Sequence, residues 1–329
     1  MLFRSLAAAS CPPSLPMERA RLELNALALA LEPEARHLKQ GKAASAALSD
    51  RVRQLGMRLG QREQAVRLVD LLAALDAAVF HVALGLGSEF ASAFQTNWLA
   101  AMAAGAGDAR RGKPEQLDAL ASALRARRAL RADRQIAADV DEAARQQVRQ
   151  ALDTARDPYA RGAIVNAARH VFVALGDHAA AYAMLQREIP NSKTPYYYMS
   201  ALAALDEANN RPEQAITWMA SAHAAARGTA TRIEWGDAYV RALIRLVPDD
   251  VARIRRVALE VIGEVQKPEA LRARTHTRLA RMITALNSWA DAPERQQVAL
   301  ELARRIENVC DRTAPVADAR ERCRALIHM

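Results

Sequence analysis

Histidines stand at 37, 81, 170, 178, 223, 276 and 328, and cysteines at 11, 310 and 323. Catalysis or metal binding by these residue types needs short, defined spacings. A zinc site is built from Cys or His pairs a few residues apart. The chain has no His-x-x-x-His pair and no Cys-x-x-Cys pair. His170 and His178 are eight apart, across a helix break at Gly176. Phosphate-binding loops are missing too. Gly85-Leu86-Gly87-Ser88-Glu89-Phe90 has Phe90 where a dinucleotide loop needs its third glycine, and no strand precedes it. That segment reads as a helix terminator. There is no Gly-Lys-Ser/Thr and no Gly-x-Ser-x-Gly. No catalytic residue, cofactor or metal ligand is therefore expected.

Binding chemistry is better represented. Tyr196, Tyr197 and Tyr198 run together, Trp218 follows one helix later, and Trp235 and Tyr239 come in the helix after that. Successive helical residues point about 100° apart, so three tyrosines cannot all face one core. At least one ring is expected in a groove or at the surface. Tyr196, Tyr197, Trp218, Arg232 and Trp235 are the candidate partner groove, and core packing is the competing fate of the rings. Cys310 and Cys323 flank an expected turn through Pro315. An exported protein would bridge them, whereas a cytosolic one would keep two inert thiols. A bridge needs Cα atoms about 4.4–6.8 Å apart. That is feasible if Asp318 caps a late helix start and residues 311–317 loop back. Asp139, Asp141 and Glu142, with Arg125, Arg127, Arg128, Arg131 and Arg134 nearby in sequence, read as a solvated face.

The elements that must carry these residues are helices. The 329 residues include 74 Ala against 13 Gly, 13 Pro and 15 aromatic residues. Alanine is the strongest helix former, and strand formers are scarce. Amphipathic patterns place helices near 17–31, 43–58, 61–82, 88–104, 114–132 and 140–156. Others follow near 158–175, 177–188, 195–209, 212–226, 229–246, 248–265, 268–289, 293–310 and 318–327. Pro158, Pro195, Pro212, Pro248, Pro268 and Pro293 sit near helix starts, where a missing N–H costs nothing. The segment from Asp177 to Leu185 aligns with that from Arg211 to Met219 at an offset of 34 residues, the tetratricopeptide period. Each carries a small Ala, at Ala181 and Ala215, where a second helix must approach closely. Gln61 to Val69 is a third echo. The expected fold is all-α, a tetratricopeptide-like array of stacked antiparallel helix pairs. Its expected parts are a leader and turn over 1–16, an N-terminal helical subdomain over 17–112 and a repeat subdomain over 113–329. The Gly/Arg-rich loop Gly105–Pro114 marks the boundary.

Net charge is +9, but 41 of the 46 basic residues are arginine. Arginine and alanine share GC-rich codons, and the arginines alternate with acids along most helices. A salt-bridged surface is expected, and nucleic acid is not an expected partner. No transmembrane segment is expected, for no run of about 18 apolar residues occurs. Leu2-Phe3-Arg4-Ser5 reads as the translation of a common sequencing adapter, and on that reading the opening is expected to be non-native or truncated. The competing reading is a lipid-modified Cys11, for which the apolar run before it is short.

Three landmarks carry a family resemblance: Asp157-Pro158-Tyr159-Ala160-Arg161-Gly162, Ser192-Lys193-Thr194-Pro195-Tyr196-Tyr197-Tyr198-Met199, and Gly228-Thr229-Ala230-Thr231-Arg232-Ile233-Glu234-Trp235-Gly236. With Cys310 and Cys323, they resemble the C-terminal helical region of bacterial exported thioredoxin-family proteins, over about 157–323. The resemblance implies a periplasmic thiol–disulfide oxidoreductase as the parent. This chain would be its non-catalytic part, positioning substrates or partners, among them a missing N-terminal thioredoxin domain. It also implies a Cys310–Cys323 disulfide, with Cys11 unpaired. Without Cys-x-x-Cys, no catalytic residue carries over. The alternative function is a free-standing cytoplasmic tetratricopeptide-like interaction scaffold.

Overall fold

The computed structural model describes residues 16–39, 43–129, 135–266 and 273–313, together with Cys323 and Leu326. The leader over 1–15 and most of the helix expected at 318–327 lie outside these residues. The structure is 85% helical and contains no strand among the described residues. Its helices pack on one another as a helical-repeat fold. Two compact units divide the chain, Met1–Ala181 and Tyr182–Met329.

The first unit holds α1 (Pro16–Lys39), α2 (Ala46–Leu59), α3 (Arg62–Arg67), α4 (Val69–Ala73), α5 (Asp76–Gly85), α6 (Ser88–Gly107), α7 (Lys113–Ala129), α8 (Ala138–Thr154) and α9 (Pro158–Leu175). The single helix expected over 61–82 is broken at Leu68 and again at Ala74–Leu75. The apolar content explains the breaks. Leu68, Val69, Leu72, Leu75, Val79, Phe80, Val82 and Ala83 are all buried. One straight helix buries a single stripe of its surface, and each break re-aims the next segment at the core. The loop at Gly105–Pro114 does not separate the units. It is a turn between α6 and α7, which pack on each other and are tied by Gln95 donating to the Ala126 carbonyl at 2.8 Å. Gly87, at φ 107°, provides the turn before α6 that no side-chain-bearing residue adopts readily.

α10 (His178–Glu188) spans the division, and the second unit continues with α11 (Tyr196–Ala208), α12 (Pro212–Ala225), α13 (Thr229–Leu246), α14 (Val251–Gly263), α15 (Ala273–Trp289) and α16 (Pro293–Thr313). Pro158, Pro212 and Pro293 open α9, α12 and α16. α10, α12, α14 and α16 begin at 178, 212, 251 and 293, so the 34-residue offset lengthens to 39 and then 42. Ala181 and Ala215 are buried, as is Ala65 of the third echo.

In the second unit α11 packs on α12, α12 on α13, α13 on α14 and α15 on α16, while α13 also packs on α15 and α14 on α16. Ion pairs cross between alternate helices in register. Glu207 holds Arg245 at 2.7 Å, Glu234 holds Arg278 at 2.8 Å and Asp249 holds Arg295 at 2.7 Å. Glu213 lies 4.0 Å from Arg253, and Arg255 pairs with Glu301. The positions advance together along both partners, so alternate helices run parallel. The unit is thus a two-layer stack, with α11, α13 and α15 in one layer and α12, α14 and α16 in the other. The alternating charges of the sequence form these inter-helix rungs.

Candidate functional site

Tyr196, Tyr197 and Tyr198 open α11 and diverge as the helical angle requires. Tyr198 is buried, Tyr196 is half-buried, and Tyr197 is 52% exposed. Trp235 reaches the same place from α13, the parallel neighbour in that layer. Its ring centroid lies 5.3 Å from Tyr196 and 5.4 Å from Tyr197, the latter edge-on at 81°. Trp235 is only 7% exposed, and its indole N–H has no hydrogen-bond partner among the described residues. A buried donor without an acceptor costs about 1–3 kcal/mol. The site therefore joins an accessible ring to an unmet donor.

The other two candidates lie elsewhere. Trp218 stands on α12, in the second layer, and donates from Nε1 to the Tyr182 hydroxyl at 2.8 Å. That hydroxyl in turn donates to buried Asp206 at 3.3 Å, and Arg211 closes the knot on Asp206 at 2.6 Å. These contacts tie α10, α11 and α12 together. Arg232, one turn before Trp235, is engaged by Glu264 at 2.6 Å. The five candidates therefore belong to three clusters, of which Tyr196, Tyr197 and Trp235 form one.

His223 of α12 is buried beside α13, with its ring 6.2 Å from that of Tyr239 and its Nε2 unpartnered among the described residues. Burial pushes its pKa below the ordinary histidine range, and the Arg232 guanidinium adds to this. Glu260 and Glu264 oppose the shift. The unfolded chain takes up a proton near pH 6.5, while the folded chain takes it up only at lower pH. This contribution to stability is therefore full above about pH 6.5 and is lost as pH falls below it. Urea midpoints measured at pH 7.5 and 5.5 should drop more for the wild type than for His223→Leu. Equal drops would show that His223 does not titrate across folding.

Two polar clusters give no signal in the sequence. Asp237 of α13 is fully buried, with its carboxylate held by Arg241 at 2.7 Å; burial raises its pKa, and Arg241 opposes the rise. At the α7–α9 contact, His170 Nδ1 lies 2.8 Å from Asp118 and its Nε2 lies 2.6 Å from Arg169. An Asp–His pair of this kind suggests a general base. Here the arginine can only donate, so it occupies the Nε2 lone pair that a base would use. The chain Arg169–His170–Asp118 is a helix-to-helix tie. Cys310 is buried at the end of α16, and the structure places it in disulfide geometry with Cys323, their Cα atoms 5.5 Å apart. Cys11 lies outside the described residues.

These features define an all-α helical-repeat protein with an aromatic surface cluster. Among the described residues, no group of three or more His, Cys, Asp or Glu is arranged to hold a metal ion, and no helix is long and apolar enough to cross a membrane. Comparison with protein-family models and with curated proteins finds no match to the chain.

Proposed function

We propose that the chain is the non-catalytic helical-repeat region of an exported thioredoxin-like thiol–disulfide oxidoreductase. In this reading the α11–α13 aromatic cluster positions an unfolded peptide segment of a substrate or partner. The observation that carries the binding role is Trp235: its N–H has no acceptor among the described residues, and the half-exposed ring of Tyr197 meets its ring edge-on. An extended peptide offers carbonyls for that donor and side chains for the rings, the combination by which aromatic-lined grooves take up extended chains. The resemblance over 157–323 and the placement of Cys310 and Cys323 support the exported parent. A free-standing scaffold would use the same site and differ in compartment.

Fluorescence anisotropy with labelled, reduced and carboxymethylated α-lactalbumin tests the site. Tyr197→Ala should weaken binding by about tenfold, the loss of one interface anchor. Trp235→Phe keeps the ring but removes the donor, and should weaken it by roughly threefold to tenfold. Tyr159→Ala, at a ring 73% exposed on α9, should leave binding unchanged. Wild-type affinity in Tyr197→Ala, or no binding by the wild type, would overturn the assignment.

A further inference from the structure

α12, α13 and α14 meet at Gly236. A methyl group added there would lie 3.3 Å from Nε2 of His223 on α12 and would collide with the Val261 side chain of α14. The His223 ring is 5% exposed, and its Nε2 has no hydrogen-bond partner among the described residues. A neutral imidazole tolerates this contact, because one of its ring nitrogens carries no proton. An imidazolium does not. It would press a second N–H against a helix whose own amides and carbonyls are already engaged, and an unpaired buried charge is costly. The charged groups around the ring offer little relief. Arg232 of α13 repels a proton on it. Glu260 of α14 is exposed, and Glu264, just past that helix, is committed to Arg232 at 2.6 Å. Tyr239 of α13 stays neutral, with burial raising its pKa, and α11, which also packs on α12, adds no charge that acts on the ring. Gly236 follows Trp235 on α13, and Arg232 lies one turn earlier. A shift of α13 at this junction therefore moves the indole that packs on Tyr196 and Tyr197.

We infer that this junction is an acid-sensitive joint for the aromatic site: a proton on His223 parts α13 from α12 at Gly236, carries Trp235 away from Tyr196 and Tyr197, and releases a bound peptide. The release rests on the proposed binding role, whereas the displacement of Trp235 does not. Solvent supplies the proton at acidic pH, and the ring returns it on neutralisation, so the joint works reversibly. The imidazolium also competes with Arg232 for Glu264, which loosens the ion pair one turn from Trp235. Where a bound peptide requires the neutral ring, its affinity falls by up to about tenfold for each pH unit below the midpoint.

The test uses the full chain, labelled with fluorotryptophan and with carbon-13 in its histidine rings. The Trp235 fluorine resonance is assigned by its loss in Trp235→Phe, and the His223 ring signal by its loss in His223→Leu. Both are followed by NMR from about pH 7.5 to about pH 4.5, across the histidine range. They should shift with one midpoint, below the ordinary histidine value, while far-ultraviolet circular dichroism stays constant. Arg232→Gln removes the repelling charge and should raise both midpoints together. In His223→Leu the Trp235 resonance should not titrate. Anisotropy with the labelled α-lactalbumin one pH unit below the midpoint should show roughly threefold to tenfold weaker binding than at neutral pH in the wild type, and no change in His223→Leu. A chain that binds no peptide at neutral pH loses the proposed function, yet the fluorine titration still decides the joint. Four results would each overturn the joint: a His223 ring that takes up no proton while the chain is folded, a Trp235 resonance fixed through the His223 transition, the same Trp235 titration in His223→Leu, or loss of helix over the same pH range. Unchanged wild-type affinity across the transition would overturn the release.

Discussion

Trp98→Ala should lower stability by about 3–5 kcal/mol, as deletion of a large buried aromatic side chain does. Trp98 is 0% exposed and sits where α5, α6 and α7 meet. Its ring lies 5.2 Å from Phe80, edge-on, and 5.7 Å from Phe94, stacked. Phe80 and Phe94 also meet edge-on at 5.6 Å. Each such pair contributes about 0.5–1.5 kcal/mol beyond the apolar area it buries. The indole N–H donates to the hydroxyl of Ser122, also fully buried, at 3.0 Å. Alanine at 98 therefore opens a cavity and strips Ser122 of its partner together. Ser122→Ala leaves the ring in place and removes only the acceptor, so it should cost about 1–3 kcal/mol. Urea unfolding followed by far-ultraviolet circular dichroism measures both. A loss under about 1 kcal/mol for Trp98→Ala would mean that these three helices do not share one core.

The physical range of each signal decides how much of this was legible in the sequence. Local backbone chemistry was readable. Pro158, Pro212 and Pro293 open helices, and Gly176 closes α9 in the left-handed conformation at φ 84°. Asp157 caps that helix, accepting from the Ala160 amide at 2.7 Å. These are interactions within a few residues, which propensity and capping rules describe directly. The repeat was readable where a small residue had to let helices touch, at Ala65, Ala181 and Ala215. Layer assignment was not readable. Trp218 and Trp235 sit in successive helices, but only alternate helices lie side by side in one layer, so Trp235 joins Tyr196 and Tyr197 while Trp218 joins Tyr182. Phe90, Phe94 and Trp98 recur at four-residue steps along α6, a stripe that looks the same in the sequence whether it faces a core or a partner. Contacts across long loops left no trace at all, as with Asp118 and His170, which are 52 residues apart. Composition misleads at Gly105–Pro114, because glycine and proline mark a turn without saying whether the flanking helices pack.

Cys310→Ala/Cys323→Ala should lower stability by about 3 kcal/mol in protein prepared from an oxidising compartment. That is the value the chain-entropy account gives for a short closed loop. The two residues are separated by 13 positions, and their Cα atoms lie 5.5 Å apart, within the range a bridge requires. Both are 0% exposed and belong to the core cluster with Leu302, Ile306, Val309 and Leu326. Alanine is the informative replacement, because serine would bury a hydroxyl and confound the loss of the bridge with an unmet polar group. Burial also fixes the character of such a bond. Exchange needs an attacking thiolate to reach a sulfur atom, and neither sulfur is open to solvent, so the bridge should resist mild reductant in the folded chain and yield only on unfolding. Such a bridge should then act as a structural staple, not as a redox switch. Two readings check it together. Titration of unfolded, unreduced protein should find one thiol, that of Cys11. Reductant should lower the urea midpoint of the wild type and leave the double variant unchanged. Three titratable thiols would leave Cys310 and Cys323 as buried apolar neighbours, and the exported parent would lose its support from these residues.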